Sequence, residues 1–302
     1  MHEWKSYIEG FQVYMRLEKA FSSNTREAYM RDLHGLMNFL EEYNYHIAPQ
    51  GLVLEHLQEY LKYLSEIGLS GSSQVRMLSG IRAFYHYLIL EEIIDEDPTA
   101  LLVRPNPGKH LPEVLSYEEV KKIINGIDSS TYHGARNVVI IEVLYACGLR
   151  VSELINLKLS DVMWDDEFLS IVGKGNKQRF VPIHRHALDL MKYYLENGRI
   201  GVKEKKNSEG IFFLNRNGGK LTRQMIHHIV ETSAKAAGIT KNVYPHIFRH
   251  SFASELINNG ADLRAVQEML GHVSITTTEI YTHLDDNNLR EALLLYHPFY
   301  KQ

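Results

Sequence analysis

Leu102-Val-Arg-Pro-Asn-Pro-Gly-Lys-His-Leu-Pro112 divides the chain. Its three prolines remove backbone donors and push their preceding residues out of the helical region, so the segment reads as an extended linker. A length of 302 residues also exceeds the usual size of one compact domain. The expected layout is an N-terminal helical domain over 1–103, a linker over 104–112 and a second domain over 113–302.

Before the linker, four helical patterns stand out. The first carries Ile8, Phe11, Tyr14 and Met15. The second opens at a cap, Ser23 or Asn24, and sets Tyr29, Leu33, Leu36, Met37 and Leu40 on one face. A third runs from near Leu54 to Ile67 and stops at Gly68. The fourth, Ser72 to Leu90, places Val75, Leu78, Ile81, Phe84, Tyr85 and Leu88 at apolar spacing. Arg76, Ser79 and Arg82 recur at three-residue steps away from that face, as a stripe facing a DNA groove would, or as an ordinary solvated face.

After the linker, Ser116-Tyr-Glu-Glu119 has the form of a capping box. Ala135 to Cys147 reads as a buried helix ended by Gly148, and Ser152 is the expected cap of the next helix, with Arg150 in the junction. Phe168–Val172 and Arg179–Ile183 read as strands joined by the basic, glycine-containing turn from Gly173 to Gln178. Further helices are expected near Ala187–Asn197, Thr222–Ala237, His246–Asn258, Leu263–Leu270, Ile275–Thr282 and Asn288–Tyr296. The fold class is therefore mainly α, with a small antiparallel sheet in the second domain.

Composition sets bounds on function. A hydrophobic share of 44% and no apolar run of bilayer length describe a globular chain without a membrane partner. Met1-His-Glu-Trp-Lys lacks a signal peptide's apolar core, and Cys147 is a lone cysteine, so the expected location is cytoplasmic. The formal net charge of -4 does not decide against nucleic acid, because phosphate binding depends on where cations cluster. Here they cluster in Lys174 to Arg179, in Arg216 to Arg223 and at Arg76 with Arg82.

Chemistry concentrates in Pro245-His-Ile-Phe-Arg-His-Ser-Phe-Ala-Ser254 and Leu270-Gly-His-Val-Ser-Ile-Thr-Thr-Thr-Glu-Ile-Tyr-Thr-His283. His246 and Arg249, three apart at a helix start, can meet one phosphate. His272 follows a helix-ending glycine, and Tyr281 supplies a phenol that becomes a nucleophile once deprotonated. Arg150 offers a second guanidinium fork for the non-bridging oxygens. Lys174 is a candidate acid for the leaving oxygen, and Lys177 is its rival. Each residue alone has a plain structural role. His246, His250 and His272 also raise a zinc alternative, although Ile247 stands where a zinc helix of the His-Glu-x-x-His kind needs Glu.

In combination these motifs resemble the tyrosine site-specific recombinases of the phage integrase superfamily, and most of all the bacterial Xer enzymes. The likeness rests on Ala-Cys-Gly-Leu-Arg150-Val-Ser-Glu-Leu, Val-Gly-Lys174-Gly-Asn-Lys, His246-Ile-Phe-Arg249-His-Ser-Phe-Ala-Ser, Leu-Gly-His272 and Ile-Tyr281-Thr-His, and on Asn24-Thr-Arg-Glu-Ala-Tyr29 in the first domain. It implies a four-helix SAM-like core-binding domain and a mostly helical catalytic domain clamping duplex DNA.

The resemblance assigns Tyr281 as nucleophile, forming a 3′-phosphotyrosyl link. Arg150 and Arg249 bind the phosphate, Lys174 protonates the 5′-oxygen, His246 is the general base and His272 bonds a phosphate oxygen. Lys177 and Arg179 join Arg76, Ser79 and Arg82 as DNA-contact candidates. Bond energy is conserved in the intermediate, so no cofactor, ATP or metal is implied.

The implied partners are double-stranded DNA carrying a specific site and copies of itself or a paralogous recombinase, forming a tetramer through a Holliday junction. A DNA translocase such as FtsK is a candidate activator. Chromosome dimer resolution at a dif-like site during cell division, on the nucleoid, is the implied role; a small mobile-element integrase is the alternative. The layout implied has no arm-binding domain of the lambda type. Leu289, Leu293, Leu294, Leu295 and Phe299 form an apolar tail, to be docked on a neighbouring protomer or packed on its own domain.

Overall fold

The computed structural model describes residues 2–17, 21–103, 113–173, 178–271 and 286–300. Two compact units, Met1–His110 and Leu111–Gln302, are each built around a core of their own. The linker assigned to 104–112 lies outside the described residues.

The first unit is four helices: α1 (His2–Leu17), α2 (Ser23–Glu42), α3 (Leu54–Glu66) and α4 (Gly71–Leu90). Each places apolar residues at helical spacing, and Phe11, Leu33, Leu36, Leu57, Ile81 and Phe84 are almost wholly removed from water. The α2 cap is Ser22, one residue before the expected Ser23, with its hydroxyl accepting from the Thr25 amide at 3.2 Å. Ser70 caps α4 in the same way. Gly68, at φ +79°, lets the chain turn out of α3.

The second unit wraps helices around α6 (Tyr132–Ala146), which is buried throughout from Val138 onward. Helix α5 (Tyr117–Asn125) opens with the expected capping box: the Ser116 amide donates to Glu119 at 2.8 Å, and the Glu119 amide returns a bond to Ser116. The short α7 (Val151–Leu154) follows Gly148 and corrects one expectation. Glu153, and not Ser152, caps it, by accepting from the Arg150 amide at 2.8 Å.

The sheet contains a strand the sequence patterns did not single out. β1 (Val162–Met163), β2 (Phe168–Val172) and β3 (Gln178–Pro182) run antiparallel in that order, with Leu169 opposite Val181 and Ile171 opposite Arg179. β1 is too short to display alternation. Beyond it lie α8 (Arg185–Tyr193), continued by a wide turn at Tyr194–Gly198, then α9 (Arg223–Ala236), α10 (Pro245–Asn258), α11 (Leu263–Leu270) and α12 (Asp286–Tyr296). The helix expected over Ile275–Thr282 lies outside the described residues.

The tail packs on its own unit. Leu289 and Leu293 join Phe252, Leu256, Val266 and Met269 in one cluster. The Tyr300 hydroxyl donates to the Pro182 carbonyl at 3.0 Å, while the Phe299 ring meets Tyr117, Tyr145, His184 and His297. His297 is fully buried, and loss of hydration holds its pKa down at about 3, with nearby His184 adding to the effect. Leu294 and Leu295 remain exposed. Among the described residues, no helix is long and apolar enough to cross a membrane.

Candidate active site

Three backbone features bring distant residues together. Gly148, at φ +57°, reverses the chain after α6 and aims its carbonyl back across α10. Pro245 occupies the first turn of α10, where a missing amide costs nothing, and sets His246 on the exposed first turn. Gly271, at φ +63°, ends α11 and leaves its last carbonyls turned toward the same place.

Arg249 threads between these features. Its guanidinium donates to the Gly148 carbonyl at 2.8 Å and to the Leu270 carbonyl, and the residue is 8% exposed. Arg150 reaches the adjoining carbonyl of Gly271 at 3.4 Å and donates to Glu153 at 2.9 Å. The two forks thus flank the carboxyl end of α11. Loss of hydration lowers the Arg249 pKa to about 10, with repulsion from Arg150 and Arg179 adding and Glu153 opposing. It stays charged at neutral pH.

Glu153 is the hub that sequence reasoning missed. Its carboxylate, with a side chain 4% exposed, accepts from both Arg179 terminal nitrogens at 2.9 Å and from the Arg150 guanidinium and amide. Burial alone would raise its pKa; the hydrogen bonds and charge of Arg179, followed by those from Arg150, outweigh that and hold it below the ordinary value. Arg179 was a DNA-contact candidate, and the structure turns it inward. Besides Glu153 it donates to the Met269 carbonyl at 2.8 Å, with only 12% of its side chain exposed. A cation on a basic turn looks like a phosphate contact by type, but here it pairs with Glu153, which also holds Arg150.

His246 faces solvent beside this cluster. Reduced hydration lowers its pKa, and the positive charge of Arg249, His250 and Arg150 adds to the shift. A neutral imidazole at pH 7 is able to accept a proton. An open groove runs along Arg150, Ser152, Arg223, His227, Tyr244 and His246. Arg223 and His227 come from the first turns of α9, and the Thr222-Arg-Gln start of that helix was the available signal for them. Ser251 ties α10 to the segment before α5, accepting from the Leu115 amide at 2.7 Å and donating to the Ile247 carbonyl.

Lys174, Lys177, His272 and Tyr281 lie outside the described residues. Among the described residues no group of three or more His, Cys, Asp or Glu side chains is placed to hold a metal ion.

Of the candidates in the first unit, Arg76 and Ser79 are exposed and Arg82 is partly covered. Arg76 forms a two-bond pair with Asp32, Arg82 donates to the Leu102 carbonyl at 2.7 Å, and Ser79 donates to the Val75 carbonyl at 3.0 Å.

Residues 113–288 match the phage integrase family, and residues 8–92 match its N-terminal SAM-like domain. The chain is 37% identical to tyrosine recombinase XerD of Listeria innocua over 291 residues, covering 96% of this chain and 98% of that protein. It is 39% identical to the protein of the same name from Chlorobaculum tepidum over 299 residues, covering 98% and 97%. A solved XerH recombinase bound to its difH substrate before cleavage is 28% identical, with a TM-score of 0.68 over 88% of this chain and 78% of that one. Lambda integrase residues 75–356, solved as a dimer on a core site, share the fold at a TM-score of 0.70 and 18% identity, covering 93% of this chain and 99% of that one. With the two family matches spanning most of the chain, and tyrosine recombinases 37–39% identical over nearly its whole length, the chain belongs to the phage integrase family and is a tyrosine-type site-specific DNA recombinase.

Proposed function

We propose that this recombinase resolves chromosome dimers at a dif-like site, cutting and rejoining DNA through Tyr281. The observation that carries the chemistry is the pair of forks, Arg150 and Arg249, fixed to consecutive carbonyls at the end of α11. They suit the two non-bridging oxygens of a phosphodiester, whose negative charge grows as the phosphorus is attacked. His246, neutral at pH 7, takes the phenol proton as the Tyr281 oxygen bonds to phosphorus. The 5′-oxygen leaves with a proton from Lys174, and His272 bonds a phosphate oxygen. The incoming 5′-hydroxyl of a partner strand then displaces the tyrosine, which regains its proton. The number of phosphoester bonds is unchanged at each step, so the cycle draws on no ATP.

Identity of 37–39% with proteins called XerD, over nearly their whole length, favours the chromosomal role over a small mobile-element integrase. The partners are then duplex DNA, a second copy or a paralogous recombinase in a tetramer, and a DNA translocase such as FtsK as activator, all on the nucleoid in the cytoplasm. A nicked duplex carrying the site traps the covalent intermediate. Wild type should form a protein–DNA adduct by way of a 3′-phosphate, and Tyr281→Phe should form none. An adduct in the Phe variant would remove Tyr281 from the role.

A further inference from the structure

α4 is a helix of 20 residues without one Asp or Glu, in a chain that holds 37 of them. Its solvent stripe, Ser72, Arg76, Ser79 and His86, presents small hydroxyls, a guanidinium and an imidazole at helical spacing. One side chain on this stripe is held differently from an ordinary surface arginine. Arg76 is 52% exposed, yet its two terminal nitrogens donate to Asp32 at 2.9 and 2.7 Å, and the Asp32 side chain is 1% exposed.

The carboxylate is enclosed because Gly80 lets α4 lie directly on α2: a Cβ there would come 2.8 Å from the Asp32 Oδ2. Burying a carboxylate behind a half-exposed cation is a poor way to gain stability. The desolvation cost is large, and an exposed pair returns little. It is a good way to fix a guanidinium, because the entropy of ordering the side chain is lost during folding and not on binding.

We propose that Arg76 reads a base edge in the recombination site, and that Asp32 is the positioning residue that aims its fork. This rests on the recombinase reading above. Two of the five guanidinium donors face Asp32, which leaves the Nε edge as a second planar fork, the shape that matches the paired acceptors of guanine in the major groove. A phosphate is the wrong ligand for this group. The Asp32–Arg76 pair is formally neutral, so it adds little to counterion release, and the carboxylate repels a phosphate.

The test is selection of a randomised duplex pool by the full chain carrying Tyr281→Phe, with Arg76→Ala, Arg76→Lys and Asp32→Asn added separately. Arg76→Ala should lose preference at one or two adjacent base pairs of each half-site, keep it elsewhere, and bind the selected duplex about tenfold or more weakly. Affinity for random duplex, and the slope of affinity against salt, should not move in Arg76→Lys, which leaves the pair with Asp32 neutral. Arg76→Lys keeps the charge without the fork and should show the same local loss, as should Asp32→Asn. A strut that only joined α2 to α4 would lower thermal stability and leave the selected sequence unchanged. An unchanged sequence in both Arg76 variants overturns the proposal, and so does a uniform loss on all DNA with a shallower salt slope. If the parent chain itself selects no sequence, the recombinase reading fails along with it, whereas a sequence selected equally by the parent and the Arg76 variants refutes the Arg76 proposal alone.

Discussion

Replacing Glu153 by Gln keeps the side chain's shape and removes the charge on which two arginines converge. The carboxylate receives four donors, two from Arg179 and two from Arg150. An amide has a single acceptor oxygen, so about half of these bonds lose their partner, at roughly 1.5–3 kcal/mol for each bond involving charge. That agrees with the ~3–5 kcal/mol typical of breaking a buried pair by removing one member. Arg150 keeps a third of its side chain in water and recovers part of the loss, so about 3 kcal/mol is the working figure. For a unit of this size that lowers Tm by about 6–12 °C at pH 7. Differential scanning calorimetry of the full chain measures it.

The pH arm has a definite sign. The native pKa of Glu153 is depressed, so its contribution is complete above the ordinary carboxylate value of 4.5 and fades as pH falls through the lower, folded value. Wild type and Glu153→Gln should therefore converge in acid. Adduct formation should fall as well, since Arg150 loses its brace. A variant that melts within about 1 °C of wild type at pH 7, where about 3 kcal/mol predicts several degrees, would refute the reasoning. So would a gap that stayed constant into acid.

Gly148→Ala should destabilise the second unit by about 2–4 kcal/mol, combining a left-handed backbone at φ +57° with a Cβ placed 2.7 Å from the Phe252 ring. Denaturant unfolding measures this, and a neutral result would mean that the turn is free to relax. For His246, the depressed pKa means that the neutral base persists to lower pH than an ordinary imidazole would allow. The acid limb of adduct formation, measured at limiting DNA, should have its midpoint below the ordinary 6.5, and a midpoint above it would contradict the role given to the local cations.

What the sequence displayed plainly was whatever repeats along one element. The apolar faces of α2 and α4, the Ser116 capping box and the glycine stop after α6 all depend on residues within a few positions of one another. Glu153 was hidden by the same logic. It stands in the motif beside Arg150, but an acid three residues from an arginine on a short helix reads as a solvent pair. Its importance comes from Arg179, which the return of β3 delivers from 26 residues further along. Arg179 was misplaced for the complementary reason: residue type announces a cation, while only the pairing of Ile171 with Arg179 decides which way it faces. Asp32 followed the same pattern, since its enclosure depends on Gly80 of another helix.

The closure of the tail over α6 has a consequence in time. During synthesis, the first unit has every residue of its core available once α4 and Leu102 have been made. The second does not. Tyr145 and His184 in its interior wait for His297 and Phe299, and Phe252 waits for Leu289 and Leu293, all of which are made long after Arg150 and Arg249. A nascent chain on the ribosome can thus present a finished first unit while the second still lacks part of its interior. Domain-by-domain folding during synthesis would then complete the first core well before the second.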